Sequence, residues 1–290
     1  MSDELVPDWP RAHFEPSGRA AELMYLIVGP PPEGGLQVSR RRHHVDRIPP
    51  ELQVSSHNRS DDPAWFEGWF AQPLGAEIDV HFLEPDRVRS ADQLTVVRGT
   101  FPDPADLNYL RNAVGVVSAI ADAGPAEAIF DVYAFTWWRP GDWRQQFAGA
   151  ESAFRITDHV GVIVTDDPQH HPGLWTHTRG MRKFGRPELQ IRHLPGDYST
   201  RNAAVRDSGD ILSGIASYLA QGAVVRDGQT MHLPHLDATV THIETPDDSD
   251  TTRHFNNSAL EICDFDADNG TIVSGAPRLL EQAALKRSSD

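Results

Sequence analysis

Four cations crowd the middle of the stretch LWTHTRGMRKFGRPELQIRHL, Leu174 to Leu194. Arg179, Arg182, Lys183 and Arg186 fall within eight residues of a chain whose formal net charge is −16. Their spacing is i, i+3, i+4, i+7, so on a helical turn they share one face while Met181 and Phe184 point the other way. Such a face is either solvated and offset by the chain's many carboxylates, the simpler reading, or a site for an anion or an acidic partner. His177 and Glu188 flank the turn, one near the end of an expected strand and the other at the start of the next. Facing each other across a cleft mouth, they would be the acid and base of an enzyme. The plainer alternative makes Glu188 a cap for the turn's amides and His177 a satisfied polar residue on a strand.

Two aromatic stretches, AWFEGWF and FTWWRPGDW, hold five of the seven tryptophans. Clusters of this kind form a core corner or a binding platform. Trp65, Phe66, Trp69 and Phe70 suit an amphipathic segment that docks on this chain or on a partner, and Trp137 and Trp138 are candidates of the same kind. Fourteen histidines invite a metal reading at His43 and His44, at His170 and His171, and at His232, His235 and Asp237. Adjacent histidines on extended chain point to opposite faces, and no HExxH pattern sets two imidazoles on one side, so no metal is expected. No GxSxG or GxGxxG is present, GPPPEGG lacks the lysine of a phosphate loop, and no cofactor is implied.

With 42 acidic against 26 basic residues and a pI near 5.2, the overall field repels phosphate backbones and anionic lipid, so neither nucleic acid nor membrane is an expected partner. The lone Cys263 makes no intramolecular disulfide and reads as a small core residue. The N-terminus shows no basic segment followed by an apolar one, and no apolar run approaches the ~20 residues of a membrane span, so a cytoplasmic location is expected.

The elements that must position these residues are short and turn-rich, as 22 prolines and 22 glycines demand. ELMYLIVG, LTVVRGTF, EAIFDVYAF, HVGVIVTD, GLWTHT, ELQIRHL, ATVTHIE and SALEICDF read as strands, and alternation of Ile78, Val80 and Phe82 predicts another over GAEIDVHFLE. Residues 36–63 read as an extended, exposed connector with one edge strand. Asp103 is expected to cap a helix ending at Gly124, with Leu107, Leu110, Val114 and Val117 on its stripe. Asp142 is expected to cap a second helix carrying Trp143, Phe147 and Phe154, and Ser208 a third carrying Ile211, Leu212, Ile215 and Leu219 and ending at Gly222. Asp227-Gly228 predicts a hairpin over AVVRDGQTMHL, and APRLLEQAALKRSSD a short docking helix. The fold class is therefore α+β, a mixed or antiparallel sheet with two or three packing helices. Residues 1–72 form an N-terminal strand and connector before an α+β domain over 73–290, unless one domain spans the whole chain.

TRGMRKFGRPELQI, followed by ILSGIASYLAQGAVVRDGQTMHL, resembles an uncharacterised bacterial family, domain of unknown function 4261. The resemblance rests on Gly180-Met181, Phe184-Gly185, Pro187-Glu188-Leu189, Tyr218-Leu219 and Asp227-Gly228, and covers the second half of the chain. It implies an α+β domain and brings no catalytic residue. The expected function is binding, as an accessory or immunity-like protein; the alternative is an enzyme of unknown reaction built on His177, Glu188 and the nearby arginines.

Overall fold

The computed structural model describes residues 6–147, 153–166, 173–196, 203–246 and 255–288. The chain is α+β and divides into two compact units, one of Met1–Arg11 with Gly18–Asp158 and the other of Ala12–Ser17 with His159–Asp290. The division expected after residue 72 falls inside the first unit.

The first unit is built on an antiparallel sheet of β1 (Ala21–Val28), β2 (Leu52–Asn58), β3 (Gln93–Phe101), β4 (Ala128–Asp131) and β5 (Thr136–Trp138), in the order β2-β3-β1-β4-β5. The alternation of β1 is buried on both sides, which makes it central. Leu26 and Val28 join Phe66, Ile78, Val88 and Phe130 in one core, while Tyr25 meets the Trp143 ring edge-on at 5.6 Å. The helices are α1 (Arg40–His43), α2 (Pro63–Gly68), α3 (Ala76–His81), α4 (Pro85–Arg89), α5 (Asn108–Ala123) and α6 (Pro140–Phe147). The exposed connector expected over 36–63 contains α1 and the edge strand β2.

Three expectations change in this unit. GAEIDVHFLE contains α3 rather than a strand. The spacing of Ile78 and Phe82 satisfies a period of two and an i, i+4 helical face alike; Val80, which separates the two cases, is 75% exposed. Asp103 caps no helix, for it sits at φ 27° and accepts from Gly18 N–H at 2.9 Å. The helix instead starts at Asn108, whose N–H donates to Asp106 at 2.9 Å, and its expected stripe is buried. Asp142 lies inside the first turn of α6, which begins at Pro140. Trp143 and Phe147 are buried as expected, Phe154 packs on Trp9 at 5.5 Å, and residues 148–152 lie outside the described residues.

The second unit has a mixed sheet of β6 (Gly161–Asp166), β7 (Leu174–Arg179), β8 (Glu188–Leu194), β11 (His242–Glu244) and β12 (Ala259–Asp266), in the order β11-β12-β8-β7-β6, with β13 (Thr271–Val273) beside β12. β8 and β12 run parallel. Helices α7 (Ala203–Ala220) and α8 (Pro277–Arg287) pack on each other and on this sheet. Ser208 does not cap α7, which starts five residues earlier; its hydroxyl donates to Val205 C=O at 2.8 Å and lies 3.0 Å from the Thr176 hydroxyl. Gly222 follows α7 at φ 103°, where a Cβ would stand 2.5 Å from Phe14 Cα, so only glycine fits this left-handed close approach. The hairpin expected over 223–233 does not form. The Asp227-Gly228 turn exists, but Gly228 N–H donates to Ile243 C=O at 2.7 Å, and β9 (Met231–Leu233) pairs with β10 (Ala238–Val240).

Candidate functional site

The basic turn is held by its backbone. β7 ends at Arg179, Gly180 adopts φ 120°, Met181–Phe184 make a single 3-10 turn, and Gly185 adopts φ 62° before β8 begins. A Cβ at Gly180 would stand 2.4 Å from His159 C=O, which no side-chain-bearing residue accommodates. Met181 and Phe184 are buried as the pattern predicts.

The cations do not form the solvated face. Arg179 is 6% exposed, Arg186 2% and Lys183 0%; Arg182 is half-buried, its guanidinium donating to Asn256 C=O at 2.6 Å. Cations at i, i+3, i+4, i+7 share a face only over two helical turns, whereas four residues of 3-10 helix between glycines of positive φ send each cation a different way. Arg179 lies over the Phe255 ring at 4.8 Å. Burial lowers its pKa to about 10, with the Glu188 charge opposing the shift.

Arg186 answers the charge question most fully. Its Nε donates to Ala223 C=O at 3.0 Å, one terminal nitrogen to the Ser17 hydroxyl at 2.7 Å and Gly185 C=O at 3.1 Å, and the other to Glu15 C=O at 3.0 Å and Gly222 C=O at 2.7 Å. Five donors meet five oxygens. Four of these are carbonyls, two of them just past the end of α7, where the helix leaves acceptors unmatched and favours a cation. The guanidinium joins residues 15–17, the basic turn and the α7 terminus.

Glu188 serves the turn as a cap. It accepts from the Thr178 hydroxyl at 2.8 Å and Gly180 N–H at 3.2 Å, and also from the Met181 amide. Burial raises its pKa above the ordinary 4.5 against the pull of these donors and of Arg179. His177 is also buried, with Nε2 3.2 Å from the Thr165 hydroxyl, Nδ1 3.3 Å from Thr178 C=O, and its ring against Trp175 and Phe255. In the sheet register His177 stands opposite Gln190. His177 and Glu188 thus lie within the sheet rather than at a cleft mouth, and Glu188's oxygens go to the turn, not to the imidazole.

Between pH 4.5 and the higher folded pKa of Glu188, the folded chain holds a proton that the unfolded chain has released, so stability falls as pH rises through that window. Glu188→Gln removes the titration. Urea midpoints taken in pH steps upward from 4.5 are expected to fall more steeply for the wild type than for Glu188→Gln; parallel slopes would show that Glu188 ionises in the folded chain as it does in water.

Sequence reasoning missed a polar row on the same sheet. Glu261, 1% exposed, accepts from the Ser274 hydroxyl at 2.6 Å, Gln190 Nε2 at 3.3 Å and the Arg192 guanidinium. Gln190 is fully buried and its Oε1 has no partner among the described residues. The signal was the alternation of Glu188, Gln190 and Arg192 in ELQIRHL, which marks a polar strand face but not whether that face meets water. Cys263 is buried, and burial together with Glu261 and Glu244 pushes its thiol pKa up, as befits a core residue rather than a nucleophile.

The tryptophans pack on the first unit itself. Trp137 stacks on Phe130 at 4.4 Å and donates to Leu74 C=O at 3.0 Å. Trp65 and Trp69 meet edge-on at 5.7 Å, and Trp138 meets Trp143 at 5.9 Å. Of the two alternatives for the aromatic segment, docking on this chain is the one observed. His43 is buried against Asp122 at 3.3 Å, His44 ends α1 in the left-handed region, and His232 lies 3.4 Å from the Thr239 hydroxyl. Among the described residues no three His, Cys, Asp or Glu side chains are placed to hold a metal; His170 and His171 lie outside them.

The remaining candidate is the open edge at β2. Seven residues, LQVSSHN, pair with β3 without a bulge and, among the described residues, have no strand on their other side. Arg59 donates to Asp92 C=O at 2.8 Å, so the odd-numbered residues bond to β3 and the even-numbered ones turn N–H and C=O outward. The ends are closed locally, Leu52 N–H on Pro49 C=O at 3.0 Å and Asn58 N–H on Asp61 Oδ2 at 3.3 Å. Val54 and Ser56 stay open between them.

Fold and sites together define an α+β chain of two units, one sheet antiparallel and one mixed, whose unusual charges are mostly internal. No family model, curated protein or solved structure matches the chain. No helix among the described residues is long and apolar enough to cross a membrane.

Proposed function

We propose that this protein acts by binding another protein, as an accessory or immunity-like factor in the cytoplasm of a bacterium. The observation that carries the reading is the open β2 edge. Exposed edges recruit other strands, and proteins usually blunt them with charge, proline, bulges or a covering element; Leu52–Asn58 contains no charged residue and no proline and keeps an unbroken register. Val54 beside it is 48% exposed. The resemblance to domain of unknown function 4261 supports the same setting and adds no chemistry. An acid–base enzyme on His177 and Glu188 would require Glu188 to leave its amides, which favours binding over catalysis.

The test is cross-linked purification of the tagged chain from its own cells. One polypeptide is expected at about one-to-one stoichiometry with the bait, sharply reduced by Ser56→Pro, which removes an outward N–H and leaves the β2–β3 bonds in place. Recovery unaffected by Ser56→Pro but abolished by Arg182→Glu would move the site to the basic turn, and no stoichiometric polypeptide would end the binding reading.

A further inference from the structure

Resting on that reading, the geometry points to the class of partner: an extended peptide with a short uncharged core and a cationic flank, added as a strand to β2. Strand addition uses main-chain hydrogen bonds for affinity and the flanking side chains for selection. The closed ends of β2 limit the ladder. A partner strand meets the outward N–H and C=O of Val54 and Ser56, and the uncharged Val54 and Ser56 side chains select a core without charge.

The flanks set the sign. At the Asn58 end stand Asp61, Asp62 and Asp92, all exposed, with Asp92 90% exposed. Arg59 stands among them, with Nε 3.9 Å from an Asp92 carboxylate oxygen, but its terminal nitrogens go to Glu67 and to the carbonyls of Ala91 and Arg89, and its Cζ lies 4.6 Å from the Phe66 ring centroid, so Asp61 and Asp62 leave this end with more carboxylates than cations. At the other end the exposed Glu51 is offset by the exposed Arg98, which stands opposite Gln53 and donates to its Oε1 at 3.3 Å. The carboxylate excess at the Asn58 end favours a partner that is cationic there, and electrostatic attraction acts mainly on selection and association rate. A second copy is disfavoured because each brings a net charge of −16.

The test uses the full chain, the acetylated octapeptide KKTVTVKK and its acidic counterpart EETVTVEE. The basic peptide is expected to bind, to slow hydrogen exchange at the Val54 and Ser56 amides by about tenfold or more, and to weaken as salt rises from about 50 to about 500 mM. Ser56→Pro, and independently Val54→Lys, which keeps the β2–β3 ladder and adds a repelling charge, should each weaken it by about tenfold. Equal binding of the two peptides, or unchanged exchange at both amides, overturns the inference. A free protein that sediments as a dimer and becomes a monomer on Ser56→Pro also overturns it, since a second copy then occupies the edge. If the peptide fails while the stoichiometric cellular partner is still captured, the peptide class is wrong and the binding reading stands; if that partner is absent, the reading itself fails.

Discussion

Arg186→Ala is expected to destabilise the second unit by about 3 kcal/mol or more, because the carbonyls of Ala223 and Glu15 and the Ser17 hydroxyl lose a donor at roughly 1 kcal/mol each, while Gly222 C=O keeps the Glu15 N–H and Gly185 C=O the Ser17 hydroxyl. Arg186→Lys should recover less than half. A lysine carries three donors at one point and cannot span five oxygens spread over residues 15–17, 185 and 222–223. Urea denaturation followed by circular dichroism measures both variants. A loss below about 1 kcal/mol for alanine would mean that water replaces the guanidinium and that the residue does not hold the α7 terminus.

Lys183→Glu and Arg182→Glu, one residue apart in the same turn, should differ by several kcal/mol. Lys183 is fully buried, and reversing it places a carboxylate in the interior where an ammonium stood, at a cost of about 4 kcal/mol or more. Arg182 is half-buried at the edge, so its reversal should cost only ~0–1 kcal/mol. A second readout separates charge from general damage. Burial and then the Lys183 charge hold the His159 pKa well below 6.5, so NMR titration of His159 should shift upward in Lys183→Glu and stay in place in Arg182→Glu. Equal stability losses would return the turn to the surface and restore the solvated face.

Much of the fold was legible because strands and helices bury continuous patterns. ELQIRHL and HVGVIVTD declared themselves by local alternation, and Ile211, Leu212, Ile215 and Leu219 by a stripe that needs no knowledge of its partner. The errors came where one local pattern served two structures. Ile78 and Phe82 satisfy a strand and a helix alike, and only the 75% exposure of Val80 tells them apart. Asp103 and Ser208 are good caps in isolation, yet α5 starts at Asn108, whose N–H donates to Asp106, and Ser208 faces Thr176 on the sheet.

By itself, the amino-acid sequence determined the α+β class, most strand positions, the burial of Met181 and Phe184, and the inertness of a lone cysteine, since these follow from periodicity, turn chemistry and counting. It also determined that four cations meet at one turn. Only the tertiary structure decided that three of them are internal, because a charge can be buried only where distant groups answer it. The oxygens that answer Arg186 belong to residues 15, 17, 185, 222 and 223. The same holds for the β2 edge. Its uncharged composition is plain in LQVSSHN, but that no strand among the described residues lies on one side is a fact of strand order, set by which segments of the folded chain reach β3 and which do not.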